Sequence, residues 1–125
     1  MGVTHHRYLI LGGGMTADAA AKGIRELDPE GTIGLIGCEP EPPYSRPPLS
    51  KALWKGEALE SIWRGTAEVG ADLYLGRQAS ALDLATKSLR DDLGTTRTFD
   101  KLLFATGGTP RRLPFGGDDV LYFRT

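Results

Sequence analysis

Three consecutive glycines, Gly12-Gly13-Gly14, stand between two apolar patterns of different period, and this restricts the possible folds more than any other feature. Ahead of them Tyr8-Leu9-Ile10-Leu11 is a continuous apolar run, which suits a strand buried on both faces of a parallel sheet. Behind them Ala17, Ala20, Ala21, Ile24 and Leu27 recur at helical spacing, with Asp18, Lys22, Arg25 and Glu26 outside the stripe. Lys22 and Glu26 lie one turn apart and are placed to pair. The helix should stop near Asp28, because a residue before proline, here Pro29, is pushed out of the helical region. Thr32 to Ile36 reads as a second strand with Ile33, Leu35 and Ile36 inward.

The spacing Gly12-x-Gly14-x-x-Ala17 then gives each small residue a task in a βαβ unit that binds a dinucleotide. Gly12 permits the turn from strand to helix, Gly14 lets a pyrophosphate approach the backbone, and Ala17 lets the helix pack against the strand. N–H groups at the helix start, those of Met15 and Thr16 included, favour the phosphates. An acid at the end of the second strand should take the ribose hydroxyls, and Glu39 is the candidate. The fingerprint does not distinguish NAD, NADP and FAD. The opposing reading is an α/β domain whose glycine turn binds nothing.

Composition narrows the partners. Fifteen Lys and Arg against sixteen Asp and Glu leave no basic excess, which disfavours nucleic acid. No apolar run approaches the ~20 residues that span a bilayer, and the first residues lack the long apolar core of a signal peptide. No membrane association is expected. Cys38 is alone, so no disulfide forms within the chain, which fits a cytoplasmic setting. Cys38 reads as a small buried hydrophobe. His5 and His6 read as a solvated tail before the first strand, since they cannot complete a metal site with one distant cysteine.

Further on, Leu49 to Lys55 suits one or two helical turns, and Ser61-Ile62-Trp63 begins a possible helix ending near Gly70. Trp54 and Trp63 read as packing residues. Asp72 to Leu75 reads as a third parallel strand. Ala79 to Leu84, Lys87 to Asp91 and Arg97 to Asp100 form a small antiparallel meander with turns at Thr86 and Gly94. Leu102-Leu103-Phe104 is a further apolar strand, Pro114 to Asp119 a turn-rich surface segment, and Leu121 to Phe123 an apolar tail.

Two stretches carry more information than the glycine turn. "PYSRPPLSK", Pro43 to Lys51, holds Arg46 and Lys51 on a proline-stiffened loop. "LLFATGGTPR", Leu102 to Arg111, places a small-residue turn after an apolar strand. With the Gly12–Ala17 turn, they resemble the FAD-containing ferredoxin reductases and apoptosis-inducing-factor-like flavoproteins. These belong to the pyridine nucleotide–disulfide oxidoreductase superfamily, and the similarity runs from Tyr8 to Thr125.

The resemblance implies a Rossmann-like α/β fold, a parallel sheet with a small antiparallel β-meander, and FAD as the cofactor. It implies that Arg46 and Arg111 contact FAD and that Lys51 lies near the hydride-accepting nitrogen of the isoalloxazine ring. A fixed cation there would stabilise the negative charge of reduced flavin. The Ala105-Thr106-Gly107 turn would pass close to the cofactor, and the Ala79 backbone would meet the adenine. Cys38 stands where many relatives place the ribose acid, so either Glu39 serves the ribose or the contact at Cys38 is left to water. Thiol-using relatives carry a cysteine near Lys51, which this chain lacks; electron transfer to a protein acceptor is favoured over disulfide chemistry.

The implied activity is hydride transfer from NAD(P)H to FAD and electron transfer to a ferredoxin-like iron–sulfur carrier. Residues 1–125 would be the N-terminal segment of the FAD-binding domain, with the NAD(P)H domain and the C-terminal domain absent and the segment alone inactive. The rival readings are a noncatalytic dinucleotide-sensing module and a redox signalling flavoprotein of the apoptosis-inducing-factor type.

Overall fold

The computed structural model describes residues 2–125. One six-stranded sheet runs in the order β3-β2-β1-β6-β5-β4. The strands are β1 (Val3–Leu11), β2 (Ile33–Ile36), β3 (Ala71–Tyr74), β4 (Ala79–Asp83), β5 (Ser88–Asp91) and β6 (Thr96–Phe104). The helix α1 (Met15–Leu27) connects β1 to β2. Strands β1, β2, β3 and β6 are parallel, whereas β5 is antiparallel to both β4 and β6. The expected meander and the expected apolar strand after it therefore share β6. Its first half pairs with β5, and its whole length pairs with β1.

Apolar side chains divide between the two faces. Ile10, Ile33, Leu35 and Ala71 pack with Ala17 and Ala21 of α1, which are fully buried and small enough to let the helix lie close to the sheet. Leu9, Ile36, Leu89 and Phe99 form the cluster on the other face. Asp28 ends the helix as the following Pro29 requires. Its carboxylate accepts the Gly31 N–H at 2.8 Å and the Tyr8 hydroxyl at 2.8 Å. Arg25 donates to the carbonyls of Val69, Asp28, Pro29 and Gly31, satisfying oxygens at and beyond the helix C-terminus.

Several expectations are corrected. His5 and His6 are part of β1, and His6 is buried. The His6 ring lies edge-on to Tyr74, its Nε2 3.1 Å from Asp72 and 3.2 Å from the Tyr74 hydroxyl. His6 thus shares a face with Leu9, three residues on, so β1 departs from strict alternation between them. Leu27 is in the stripe by spacing but sits exposed at the last turn. Asp18, outside the stripe, is fully buried, and Lys22 pairs with it rather than with Glu26. Trp54 is 81% exposed rather than packed, its Nε1 donating to the Leu49 carbonyl. Trp63 is also exposed in part but lies edge-on to Tyr44. The possible helix from Ser61 is two separate 3-10 turns, Leu59–Ile62 and Thr66–Val69.

Candidate cofactor cleft

A cleft of about 670 Å³ opens at the carboxyl ends of β1, β2 and β6. That volume lies within the range of sites that hold a small molecule or cofactor. The position is the topological switch point, where the chain moves from β1 to β2 on one side while β6 closes the other. Gly12, Gly14, Met15, Thr16, Cys38, Glu39, Arg46, Ala79, Ala105, Thr106 and Gly107 all line it. Ala17 is buried behind it, in the contact between α1 and the sheet.

The glycines serve different needs. Gly12 has φ +136°, and a Cβ there would lie 1.9 Å from the Ala105 carbonyl oxygen. Two hydrogen bonds fix this crossing, Gly12 N–H to Ile36 O and Ala105 N–H to Leu11 O, both 2.8 Å. Gly13, between the two motif glycines, lets β1 and β2 converge; its Cβ would lie 3.0 Å from the Gly37 Cα. Gly14 has an ordinary extended conformation and an open side facing Arg46, whose Nη2 would be 3.8 Å from an added Cβ. Among the described residues, no side chain caps the first turn of α1. Its N–H groups therefore point toward the cleft without a protein partner, at the positive end of the helix.

The proline-rich loop supplies one cation to this space. Arg46 donates to Glu39 Oε1 and, at 3.1 Å, to the Tyr44 hydroxyl, which in turn donates to Glu39 Oε2 at 2.6 Å. Burial pushes the Glu39 carboxyl up, but the bonds from Tyr44 and Arg46 outweigh it and hold the group below the usual carboxylate range. Burial likewise favours the neutral form of Arg46, and Glu39 reverses that. The Arg46 N–H lies 3.5 Å from Met15 Sδ, so the loop rests on the first turn of the helix. Each Glu39 oxygen already accepts one bond, and a ribose would share this carboxylate with Arg46 and Tyr44.

Cys38 is exposed in the cleft wall and is not the buried hydrophobe expected. Lys51 and Arg111 are exposed and outside the cleft lining. Lys51 separates two 3-10 turns, Pro47–Ser50 and Ala52–Lys55. Two further cations line the cleft, Arg77 and Arg124. Arg77 precedes Ala79, where β4 carries a register shift between Ala79 and Ala81, and it is tied to buried Asp91 at 3.2 Å. Arg124 donates to the Gly108 carbonyl at 3.1 Å. No sequence pattern marks either residue; chain topology alone brings them to the cleft.

A sequence profile described as pyridine nucleotide-disulphide oxidoreductase matches residues 6–125. The chain belongs to that family. Its members are oxidoreductases that work with FAD and a pyridine nucleotide. The chain is 37% identical over 122 residues to the ferredoxin–NAD(+) reductase component of the biphenyl dioxygenase system of Paraburkholderia xenovorans. That match covers 93% of this chain and 29% of the relative. It is 40% identical over 121 residues to the ferredoxin reductase subunit of a 5,5'-dehydrodivanillate O-demethylase from Sphingobium, covering 90% and 29%. Among solved structures, the ferredoxin reductase for the CYP199A2 system of Rhodopseudomonas palustris superimposes with a TM-score of 0.83 at 32% identity, covering 94% of this chain and 31% of that one. The chain thus spans less than a third of the length of these relatives. Among the described residues, no helix is long and apolar enough to cross a membrane.

The cleft fits the family's dinucleotide. Uncapped N–H donors, an open side at Gly14 and a held guanidinium are the chemistry that a diphosphate requires.

Proposed function

We propose that residues 1–125 are the N-terminal segment of the FAD-binding domain of an NAD(P)H-dependent ferredoxin reductase. The whole protein would work in the cytoplasm, oxidise NAD(P)H and reduce a ferredoxin-like iron–sulfur carrier. The observation that carries this reading is the convergence, in one cleft, of the glycine turn, the proline-rich loop and the Ala105–Gly107 turn. These come from three distant parts of the chain, and their joint presence also argues against a simple adenine-nucleotide sensor, which would not need the Arg46 loop. The names of the relatives support the choice of acceptor.

In this reading Gly12 and Gly13 bring the strand ends together, and Gly14 with the Met15 and Thr16 N–H groups receives the diphosphate. Ala17 keeps α1 close to the sheet. Arg46 places positive charge above the helix start. Glu39 and Cys38 face the adenosine ribose, with the Ala79 backbone at the adenine and the Ala105-Thr106-Gly107 turn on the opposite wall. When bound, FAD supplies hydride-accepting and one-electron chemistry that no side chain offers. Lys51 and Arg111 belong to the flavin end, and their approach to it depends on parts of the protein beyond these residues.

Binding is tested by titrating the chain into FAD and following flavin fluorescence and the visible absorption band. Weak binding is expected, with no oxidation of NADH by this segment. Arg46→Ala should weaken binding by about tenfold, the equivalent of one charge-assisted hydrogen bond of roughly 1.4 kcal/mol. FAD affinity equal in wild type and Arg46→Ala, or preference for a plain adenine nucleotide over FAD, would refute the assignment.

A further inference from the structure

Arg46 faces the start of α1 and caps the short 3-10 turn Pro47–Ser50 in its loop. Besides its direct contacts to Glu39, Tyr44 and Met15, a chain of polar contacts that begins inside the helix anchors the neighbouring residue, Ser45. Asp18 is fully buried. Its carboxylate accepts Arg64 Nε at 2.6 Å, Thr66 Oγ1 at 2.7 Å and Lys22 Nζ at 3.1 Å. Arg64 continues the chain, donating from Nη1 to Ser45 Oγ at 3.1 Å, and its carbonyl accepts Lys22 Nζ at 2.7 Å. Ser45 N–H donates to the Ile62 carbonyl at 2.9 Å, and Tyr44 forms a backbone bridge with Trp63. Ser45 lies between the two residues, Tyr44 and Arg46, that hold Glu39. A carboxylate buried this deeply persists only when it is paired, and here two cations from different segments pair with it.

We propose that Asp18 is a positioning residue for Arg46: through Arg64 and Ser45 it sets where the Arg46 guanidinium stands relative to the helix start and Glu39. The proposal rests on the assignment of the cleft to a diphosphate-bearing cofactor, which Arg46 would face. It predicts that Arg46 binds its ligand well only while the Asp18–Arg64–Ser45 strut is intact, because a preorganised cation loses less freedom on binding than a mobile one.

The test uses Ser45→Ala, Arg64→Lys and Asp18→Asn, each alone and combined with Arg46→Ala, in the 125-residue chain. Ser45→Ala removes only the last link and leaves the buried carboxylate paired, so it carries the test if Asp18→Asn fails to fold. The first measurement needs no ligand: the titration midpoint of the Glu39 carboxyl, followed by carbon-detected NMR. Tyr44, Arg46 and Arg124 are the groups that act on Glu39 directly. Each strut variant should raise the Glu39 midpoint while Arg46 is present and leave it unchanged once Arg46 is alanine. A midpoint unmoved in folded Ser45→Ala and Arg64→Lys overturns the proposal. The second measurement is FAD affinity. Ser45→Ala and Arg64→Lys should weaken it about 3- to 10-fold with Arg46 present, the range for one hydrogen bond, and have almost no effect without it. Equal losses in both backgrounds overturn the proposal, since they report a structural effect independent of Arg46. A wild-type chain that ignores FAD refutes the cofactor assignment instead, and the Glu39 titration then decides the strut by itself.

Discussion

Gly12 and Gly14 share one motif but answer to different physics in this structure, and alanine at each should separate them. At Gly12 the added Cβ would sit 1.9 Å from the Ala105 carbonyl oxygen and 2.5 Å from its carbon. Ordinary contact begins at 3.4 Å, so the two strand ends would have to part by about 1.5 Å. That shift breaks the Gly12–Ile36 and Ala105–Leu11 hydrogen bonds, each worth about 1 kcal/mol. The φ of +136° adds backbone strain of about 1–3 kcal/mol. Gly12→Ala should therefore lose roughly 3–5 kcal/mol, a large part of the ~5–15 kcal/mol of a whole domain. Gly14 has φ −102°, and an added Cβ would meet nothing closer than Arg46 Nη2 at 3.8 Å. Gly14→Ala should keep the fold, with stability equal to wild type or higher by up to about 1 kcal/mol. It should lose FAD affinity by at least about tenfold, because the methyl group occupies space that the diphosphate needs. Urea unfolding followed by circular dichroism gives the first quantity and calorimetric FAD titration the second. A Gly12→Ala chain within 1 kcal/mol of wild type, or a Gly14→Ala chain as unstable as Gly12→Ala, would refute the division of labour.

Acid should unfold the chain through its buried carboxylates. Burial raises the pKa of both Asp18 and Asp91, but Thr66, Arg64 and Lys22 at Asp18, and Arg97 with the Thr95 and Leu93 N–H groups at Asp91, bring each below the usual value. A depressed folded pKa gives stability that is complete above the unfolded value of about 3.9 and is lost as pH falls through the folded value. Circular dichroism should show unfolding only below about pH 4, and Asp91→Asn should lower stability at neutral pH while flattening that acid limb. Gly34→Ala should lose about 1–3 kcal/mol by overpacking, because its Cβ would lie 2.9 Å from the His6 ring; adding His6→Ala should make the second substitution cheaper than it is alone, read by urea midpoints. Trp54→Ala should change stability by less than about 0.5 kcal/mol, since the indole is exposed and makes one hydrogen bond to its own loop.

The strand–turn–helix–strand opening was legible because it is local: residues a few positions apart decide it, although His6, Asp18 and Leu27 break the apolar pattern inside β1 and α1. Gly12, Gly14 and Glu39 of the cleft lining were legible for the same reason, whereas Arg46 was reached only through the resemblance of its loop. What stayed hidden depends on distant partners. Asp18 looks like an exposed helix residue until Arg64 and Thr66, 46 and 48 residues later, enclose it. His6 looks like a solvated tail until Asp72 and Tyr74 reach it from β3. Arg77 reaches the cleft because β3 pairs with β2 and the bonds Gly76 N–H to Glu39 O and Arg77 N–H to Gly37 O continue that pairing beyond the strands. The single β6 was read as two pieces because its halves serve different neighbours, β5 for the first and the upper part of β1 for the second.

The pairing of β1 with β6 joins positions 93 residues apart, Val3 with Thr96 and Leu11 with Phe104. During synthesis, the glycine turn leaves the ribosome early but lacks its opposite wall until Ala105 has followed. At about 5–20 residues per second this interval lasts several seconds. Through that time the edge of β1 is open, its donors and acceptors free to recruit another chain's strand. The nascent polypeptide thus carries an unpaired strand edge until the moment its cleft acquires a second wall.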